Sequence, residues 1–260
     1  MLSESLLRER LTERGVTTMD IRTPAAPDST NNFAKALARQ NPPGPVLVAA
    51  DYQTGGRGRQ GKSFVSPPGG LYLSVLLPTG GRAAREIVGV TSCAAVAVAR
   101  AVDELAGCRT RIKWVNDVLL GEGKLAGILC ETVGEAAHPD WVVVGAGVNL
   151  CSAPILPDAA YPPVSLADAG LSAEPEALAA GIAARLLEAA QRGFSFAAYA
   201  DEYRARSIVL GRRIAFTQNG VTTEGEAVGI GDDGSLVVRC AEGECRLTSG
   251  EISVRPLSCP

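Results

Sequence analysis

Histidine is almost missing from this sequence: among 260 residues there is one, His138, in a polar turn before Pro139. A single histidine leaves Ser-His hydrolysis and His-built zinc sites poorly supplied, and neither is expected. No C-x-x-C spacing occurs among the seven cysteines, at 93, 108, 130, 151, 240, 245 and 259. An odd number of thiols scattered through apolar surroundings reads as reduced cysteine in a cytoplasm. Positive charge is not in excess either. The net charge is −3 and no long Lys/Arg run occurs, which argues against broad nucleic-acid binding. The longest nearly apolar window, 87–99, is interrupted by Thr91 and Ser92 and is too short to span a bilayer. Met1-Leu2-Ser3-Glu4 does not read as a secretory signal. Internal repeats and low-complexity tracts are also lacking.

What is there is an ordinary globular composition, 46% apolar and 20% charged, long enough for one main domain and a smaller one. The stretch 55–124 organises the chain around the loop Gly56-Arg57-Gly58-Arg59-Gln60-Gly61-Lys62-Ser63. Glycines that permit close backbone approach, bare N–H groups and three cations in eight residues call for an anion, best a phosphate. The loop satisfies both G-x-x-x-x-G-K-S and G-x-G-x-x-G. A phosphate loop needs a helix directly after it, whereas Ser66-Pro67-Pro68-Gly69-Gly70 follows and cannot propagate one. The unit therefore reads strand–loop–strand, which weakens the P-loop and dinucleotide readings alike. A solvated basic hairpin loop is the bland alternative.

In chain order, leucines at 6, 7 and 11 predict a first helix over 3–14 with Gly15 as stop signal. A strand over 19–23 follows, then a helix opening at Asp28-Ser29-Thr30-Asn31, where Asp and Ser are good caps, and running to 39. Strands are expected at 46–53 and 71–77, and a buried Ala/Val-rich helix at 85–105. Strands at 111–114, 118–120, 125–133 and 141–150 come next, with turns at Asn116-Asp117 and Gly121-Glu122-Gly123. Glycines at 145 and 147 suggest close approach of a ligand or another backbone. A proline-rich loop (151–163) leads to two amphipathic helices over 176–192 and 194–206. From about 208 the pattern changes to short strands at 213–217, 223–229, 235–239 and 244–248, a small antiparallel barrel. The division expected is 1–207 and 208–260.

Within 113–129, Asn116 and Asp117 are oxygen donors suited to Mg²⁺. Lys124 follows a tight turn and is expected as a mobile point cation. With the arginine loop, this set suits phosphoryl or adenylyl transfer, where positioning and charge stabilisation carry most of the catalysis. Each piece alone has an ordinary reading as a turn or a solvated lysine.

The pieces occur in an ordered series: Ser29-Thr30-Asn31, GRGRQGK, KWVND (113–117), KLAGIL (124–129), GAGVN (145–149) and GEISVR (250–255). The series resembles biotin protein ligase, also called biotin–[acetyl-CoA-carboxylase] ligase, over residues 20–256. The resemblance implies an α/β (α+β) catalytic domain with a mixed sheet flanked by helices, followed by an SH3-like C-terminal barrel. It implies activation of biotin by MgATP as biotinyl-5′-adenylate and transfer to a lysine of a biotin carboxyl carrier protein. Ser29, Thr30, Asn31 and Gln53 are then the biotin contacts. Arg57, Gly58 and Arg59 hold the adenylate phosphate, with Lys62 beside them, and Lys124 touches the biotin carboxylate and the phosphoryl oxygen. Asn116, Asp117 and Asn149 help place phosphates and Mg²⁺, with Asp117 the metal ligand, and Gly127 and Gly145 let backbone approach the ligand. Three departures stand out: Val115 for the usual Pro, Lys62 for an Arg, and Phe64 for an adenine-side Trp. The residues before the first motif do not read as a winged helix, so the ligase-only class is expected, without operator binding. Many members dimerise through the sheet. Lipoate or octanoate transfer on the related fold and a P-loop kinase are the alternatives; the terminal barrel and the GRGR loop favour biotin, and the prolines after Ser63 count against the kinase.

Overall fold

The computed structural model describes residues 2–156, 159, 161–218, 220–248 and 253–257. Asn219 of one expected turn, Cys259, and Gly250, Glu251 and Ile252 of the terminal motif lie outside the described residues. Among the described residues, two sheets and five α-helices make up the fold. The helices are α1 (Glu4–Glu13), α2 (Thr30–Ala38), α3 (Val90–Ala106), α4 (Pro175–Gln191) and α5 (Ala200–Arg206).

The first sheet has seven strands: β1 (Asp20–Arg22), β2 (Val46–Ala50), β3 (Leu71–Pro78), β4 (Arg111–Lys113), β5 (Asp117–Leu120), β6 (Gly123–Gly134) and β7 (Pro139–Val148). Their order is β1-β2-β3-β7-β6-β5-β4. The β1–β2 pair is parallel and the others are antiparallel, so the sheet is mixed.

Strand alternation divides the apolar residues between two faces. Leu47, Leu71, Leu73, Val75, Leu77, Val142, Val144 and Val148 belong to a large core shared with α1, α3 and α4. Val46, Val48, Leu76, Trp141 and Val143 point the other way, into a small cluster with Ala34 and Ala38 of α2. Further along that second face glycines replace most of the apolar side chains. Gly145 pairs with Ser74 on one side and Leu129 on the other, and Gly147 with Tyr72 and Gly127. A short helix over one end of the face and glycines at the other leave a hollow between them.

Helix α3 is apolar nearly all round and is buried between the sheet and α4. It begins at Val90, later than the expected 85, because a separate 3₁₀ turn at Ala84–Glu86 and the non-helical Ile87 precede it. It ends on Gly107 at φ 63°, the left-handed stop that favours glycine. The helix expected over 194–206 is likewise divided. Phe194 takes φ 56°, a 3₁₀ turn spans Phe196–Ala198, and only α5 is α-helical.

The second sheet is five-stranded and antiparallel, in the order β11-β10-β9-β8-β12. Its strands are β8 (Arg213–Gln218), β9 (Val221–Ile230), β10 (Leu236–Cys240), β11 (Gly243–Leu247) and β12 (Ser253–Pro256). Strand β12 was not expected; it pairs with β8, which comes some forty residues earlier in the chain. Ile214, Phe216, Ala227, Ile230, Leu236, Val238 and Leu247 join the same apolar core as the first sheet. Trp114 Nε1 donates to Gly234 O at 3.0 Å and Arg204 Nη2 to Ile230 O at 2.8 Å, fastening the second sheet to the segment after β4 and to α5. Among the described residues, no helix is long and apolar enough to cross a membrane.

Candidate active site

A cavity of about 210 Å³ occupies the hollow on the α2 face. Ser29, Thr30 and Asn31 reach it from the start of α2, and Gln53 from the segment after β2. Ser29 is the N-cap residue by position but makes no side-chain cap hydrogen bond. Gln53 takes over that work: its Oε1 accepts from the Thr30 N–H at 2.7 Å and from Thr30 Oγ1 at 3.1 Å. Gln53 Nε2 in turn donates to Ser66 Oγ at 2.9 Å. One amide thus ties the helix start to the segment that closes the basic loop.

That loop is a small closed hairpin. Gly58 N donates to Lys62 O at 2.7 Å, and Phe64 N to Gly56 O at 2.9 Å. A Cβ at Gly56 would collide with Phe64 O and Ser66 Oγ, so glycine is required there. The amides of Gly58, Lys62 and Phe64 are engaged inside the loop, contrary to the expectation of bare N–H groups. The loop's charge comes from Arg57, Arg59 and Lys62. Arg57 Nη1 donates to Asn32 Oδ1 at 2.9 Å on α2, and Arg59 Nη1 to Asn116 Oδ1 at 3.1 Å on the opposite wall. The loop spans the cavity and is held on both sides.

The far wall is the 113–117 segment with β6. Lys124 lies within β6, and its Nζ is 2.7 Å from Asp117 Oδ1. The expected mobile point cation is instead held in an ion pair, because Asp117 is the first residue of the neighbouring strand β5 rather than part of a turn. Asp117 Oδ2 lies 3.7 Å from Lys113 Nζ. Asp117 Oδ1 is buried and faces the Lys124 ammonium. Burial pulls the Lys113 ammonium below its ordinary pKa, opposed by Asp117 and reinforced by Lys124. Burial likewise lowers the Arg59 guanidinium, opposed chiefly by the charge of Asp117. Asn116 Nδ2 donates to Ile128 O at 3.0 Å, so this amide braces β6 and Arg59 together. Asn149 stands behind the wall, its Nδ2 donating to Lys124 O at 3.3 Å and Val164 O at 3.1 Å. It does not line the cavity.

The glycine floor is filled by side chains rather than by another backbone. A Cβ at Gly145 would collide with Asn31 Oδ1, and one at Gly147 would meet the Phe64 ring at 2.5 Å. Gly127 lies under the same ring, 3.0 Å from where its Cβ would be. Lys124 Nζ stands 5.7 Å from the Phe64 ring centroid.

The lining is strongly asymmetric. Arg57, Arg59, Lys62, Lys113 and Lys124 are cationic, and Asp117 is the one carboxylate among the lining residues described. Uncharged polar groups cluster at Ser29, Thr30, Asn31 and Gln53, and Leu129 adds an apolar side chain from the strand face that also carries Gly127. An elongated, partly apolar acid whose carboxylate meets a phosphate suits this lining. Of the residues named from sequence, Ser29, Thr30, Asn31, Gln53, Arg57, Gly58, Arg59, Lys62, Asn116, Asp117, Lys124, Gly127 and Gly145 are brought together here, and Asn149 stands outside. Lys113 was not singled out from sequence; its position four residues before Asp117, across a tight β4–β5 hairpin, is the signal that could have found it.

Comparison with known proteins agrees with this geometry. Residues 24–149 match the biotin/lipoate A/B protein ligase family, and residues 209–255 match the biotin protein ligase C-terminal domain. The biotin–[acetyl-CoA-carboxylase] ligase of Paracoccus denitrificans is 35% identical over 236 residues, covering 88% of this chain and 98% of that protein. The ligase of the same description from Mycobacterium tuberculosis is 32% identical, covering 96% and 95%. Among solved structures, biotin protein ligase from Aquifex aeolicus in complex with biotin and ATP superposes with a TM-score of 0.77 at 25% identity, covering 92% of this chain and 99% of that one. With relatives matched along nearly their whole length, through the sheet that carries the cavity and the barrel beyond it, the chain belongs to the biotin/lipoate A/B protein ligase family and is a biotin ligase.

Proposed function

We propose that this chain joins biotin to ATP as biotinyl-5′-adenylate and passes the acyl group to a lysine of a biotin carboxyl carrier protein. The observation that carries the reading is one cavity with uncharged hydrogen-bonding groups at one end, five cations at the other, and a loop held across it. The catalytic part is 1–207 and the barrel 208–260, a division supported by the separate five-stranded sheet.

The polar end, Ser29, Thr30, Asn31 and Gln53, binds the ring amides of biotin, and Leu129 with the glycine floor at 127, 145 and 147 flanks its apolar chain. A carboxylate oxygen of biotin attacks the α-phosphorus of ATP; the new acyl–phosphate bond forms as the bond to pyrophosphate breaks. Two anions must meet, and bringing them together in a low-dielectric site costs several kcal/mol unless cations offset it, about 4 kcal/mol for unit charges near 4 Å at an effective dielectric of 20. Lys124 and Arg59 supply that offset at the reacting oxygens, with Lys113 behind them. In the second step the carrier amine attacks the acyl carbon, AMP leaves with the bond electrons, and the amine loses a proton to solvent. The loop 56–63 keeps water from the mixed anhydride between the steps.

Magnesium fits here as a companion of the triphosphate. Among the described residues no group of three or more His, Cys, Asp or Glu forms a protein-built metal cluster. Mg²⁺ commonly takes one or two carboxylates and relies on phosphate oxygens for the rest. Asp117, the one carboxylate among the lining residues described, is the residue that would hold it, in exchange for its contact with Lys124. Bound there, the ion would neutralise phosphate charge.

The test is ATP–pyrophosphate exchange with biotin in one reaction and lipoate in another. Exchange that requires biotin supports the proposal; exchange with lipoate alone, or with neither acid, overturns it.

A further inference from the structure

Glu131 takes no part in the chemistry above, yet donors from three directions converge on it. It lies on β6, paired with Val143, on the same face of the strand as Leu129 and Gly127. Its Oε2 accepts from Asn31 Nδ2 at 2.9 Å and its Oε1 from Lys35 Nζ at 2.8 Å. Arg57 Nη1, in the basic loop, is 3.6 Å from Oε1.

The consequence for Asn31 is orientational. Its Nδ2 faces the Glu131 carboxylate and Leu129 O at 3.2 Å, while its Oδ1 accepts from Ser74 Oγ at 2.6 Å. Turning the amide over would set its oxygen against a carboxylate and a carbonyl, both acceptors. An acceptor-only group at 131 therefore decides which way this cavity-lining amide points. The same carboxylate links α2 to the loop through Arg57. Burial pushes its pKa up, but hydrogen bonds from Lys35 and Asn31 and the charges of Lys35 and Arg57 leave it below its ordinary value.

We propose that Glu131 is a positioning residue for the biotin end of the cavity, setting the Asn31 amide and tying the first loop arginine to α2. The inference rests on the biotin reading of the cavity. Glu131→Gln keeps shape and removes charge; its amide has one acceptor atom where three donors converge.

The test is calorimetric biotin binding, ATP KM and melting temperature for wild type, Glu131→Gln and Glu131→Asp. The Gln variant is expected to weaken biotin binding about tenfold or more, as loss of a charge-assisted hydrogen bond does. ATP KM should move less than biotin Kd, and the Asp variant should recover part of the loss. An unchanged biotin Kd overturns the proposal. So does a parallel loss of both affinities and of melting temperature without recovery in Asp, which marks a structural role only. If the Gln variant does not fold, Glu131→Asp decides alone. It keeps the charge but is one methylene too short to hold Asn31 and Lys35 at their present distances, so wild-type biotin affinity in it overturns the proposal. Folded wild-type protein that binds no biotin sinks the cavity reading and this inference with it, and is seen before any variant is made.

Discussion

Lys124 and Asp117 show how little one side chain means without its partner. The ammonium is paired with a carboxylate on the adjacent strand, so its position is set before substrate arrives. Lys124→Ala removes a cation from the reacting oxygens and leaves Asp117 buried beside Lys113 alone. We expect biotin-dependent pyrophosphate exchange to fall by about 100-fold or more, the scale of losing one electrostatic stabiliser in a dry site. Retained exchange would remove Lys124 from the reacting centre. Arg59, braced by Asn116 across the cavity, has a different role. Arg59→Gly should allow the adenylate to escape, so that bystander proteins become biotinylated; a labelling pattern confined to the carrier would count against it. Glu131 carries a pH signature. Its carboxyl sits below the ordinary 4.5 in the folded state. Its contribution to stability is therefore complete above 4.5 and disappears as pH falls through the lowered value. The gap in melting temperature between wild type and Glu131→Gln should be widest at neutral pH and close in acid.

At the scale of elements, helix α2 and strand β7 are where local signals and tertiary contacts part. Sequence placed a cap at Asp28-Ser29, and the helix does begin at Thr30. The cap acceptor, however, is Gln53, twenty-three residues further along the chain. Gln53→Ala should cost about 1 kcal/mol of stability, the usual worth of an N-cap, and weaken biotin binding, whereas Ser29→Ala should leave stability nearly unchanged. Thermal melts of the two variants distinguish them. Strand β7 reads as an apolar strand with glycines at alternate positions, a pattern open to ligand or backbone contact. Asn31 and Phe64 occupy that space. Gly145→Ala should leave the strand formed, since its backbone needs no left-handed angle, but push Asn31 out of place and raise biotin Kd. Helix boundaries failed where backbone irregularities intervened: Ile87 and Tyr199 interrupt runs that are apolar enough to have continued as helix.

Over the whole molecule, the two sheets are topologically separate but energetically joined. One apolar core runs from α1 to Leu247, and the Trp114–Gly234 hydrogen bond crosses between them directly behind the cavity wall. A shared core of this kind predicts one cooperative thermal transition rather than two. Calorimetry with two resolved transitions would contradict it. The sequence by itself determined the strand and helix periods, the loop's glycines and cations, the change to short strands after 208, and the family resemblance. These are local properties, written in residues near one another. Tertiary structure alone decided that Gln53 caps α2, that Asn31 fills the space above Gly145, that Asp117 holds Lys124, and that Glu131 faces Asn31. Each of these is a pairing between distant segments. Its geometry depends on sheet register and on which face a strand presents, and neither is specified by any one segment's own pattern.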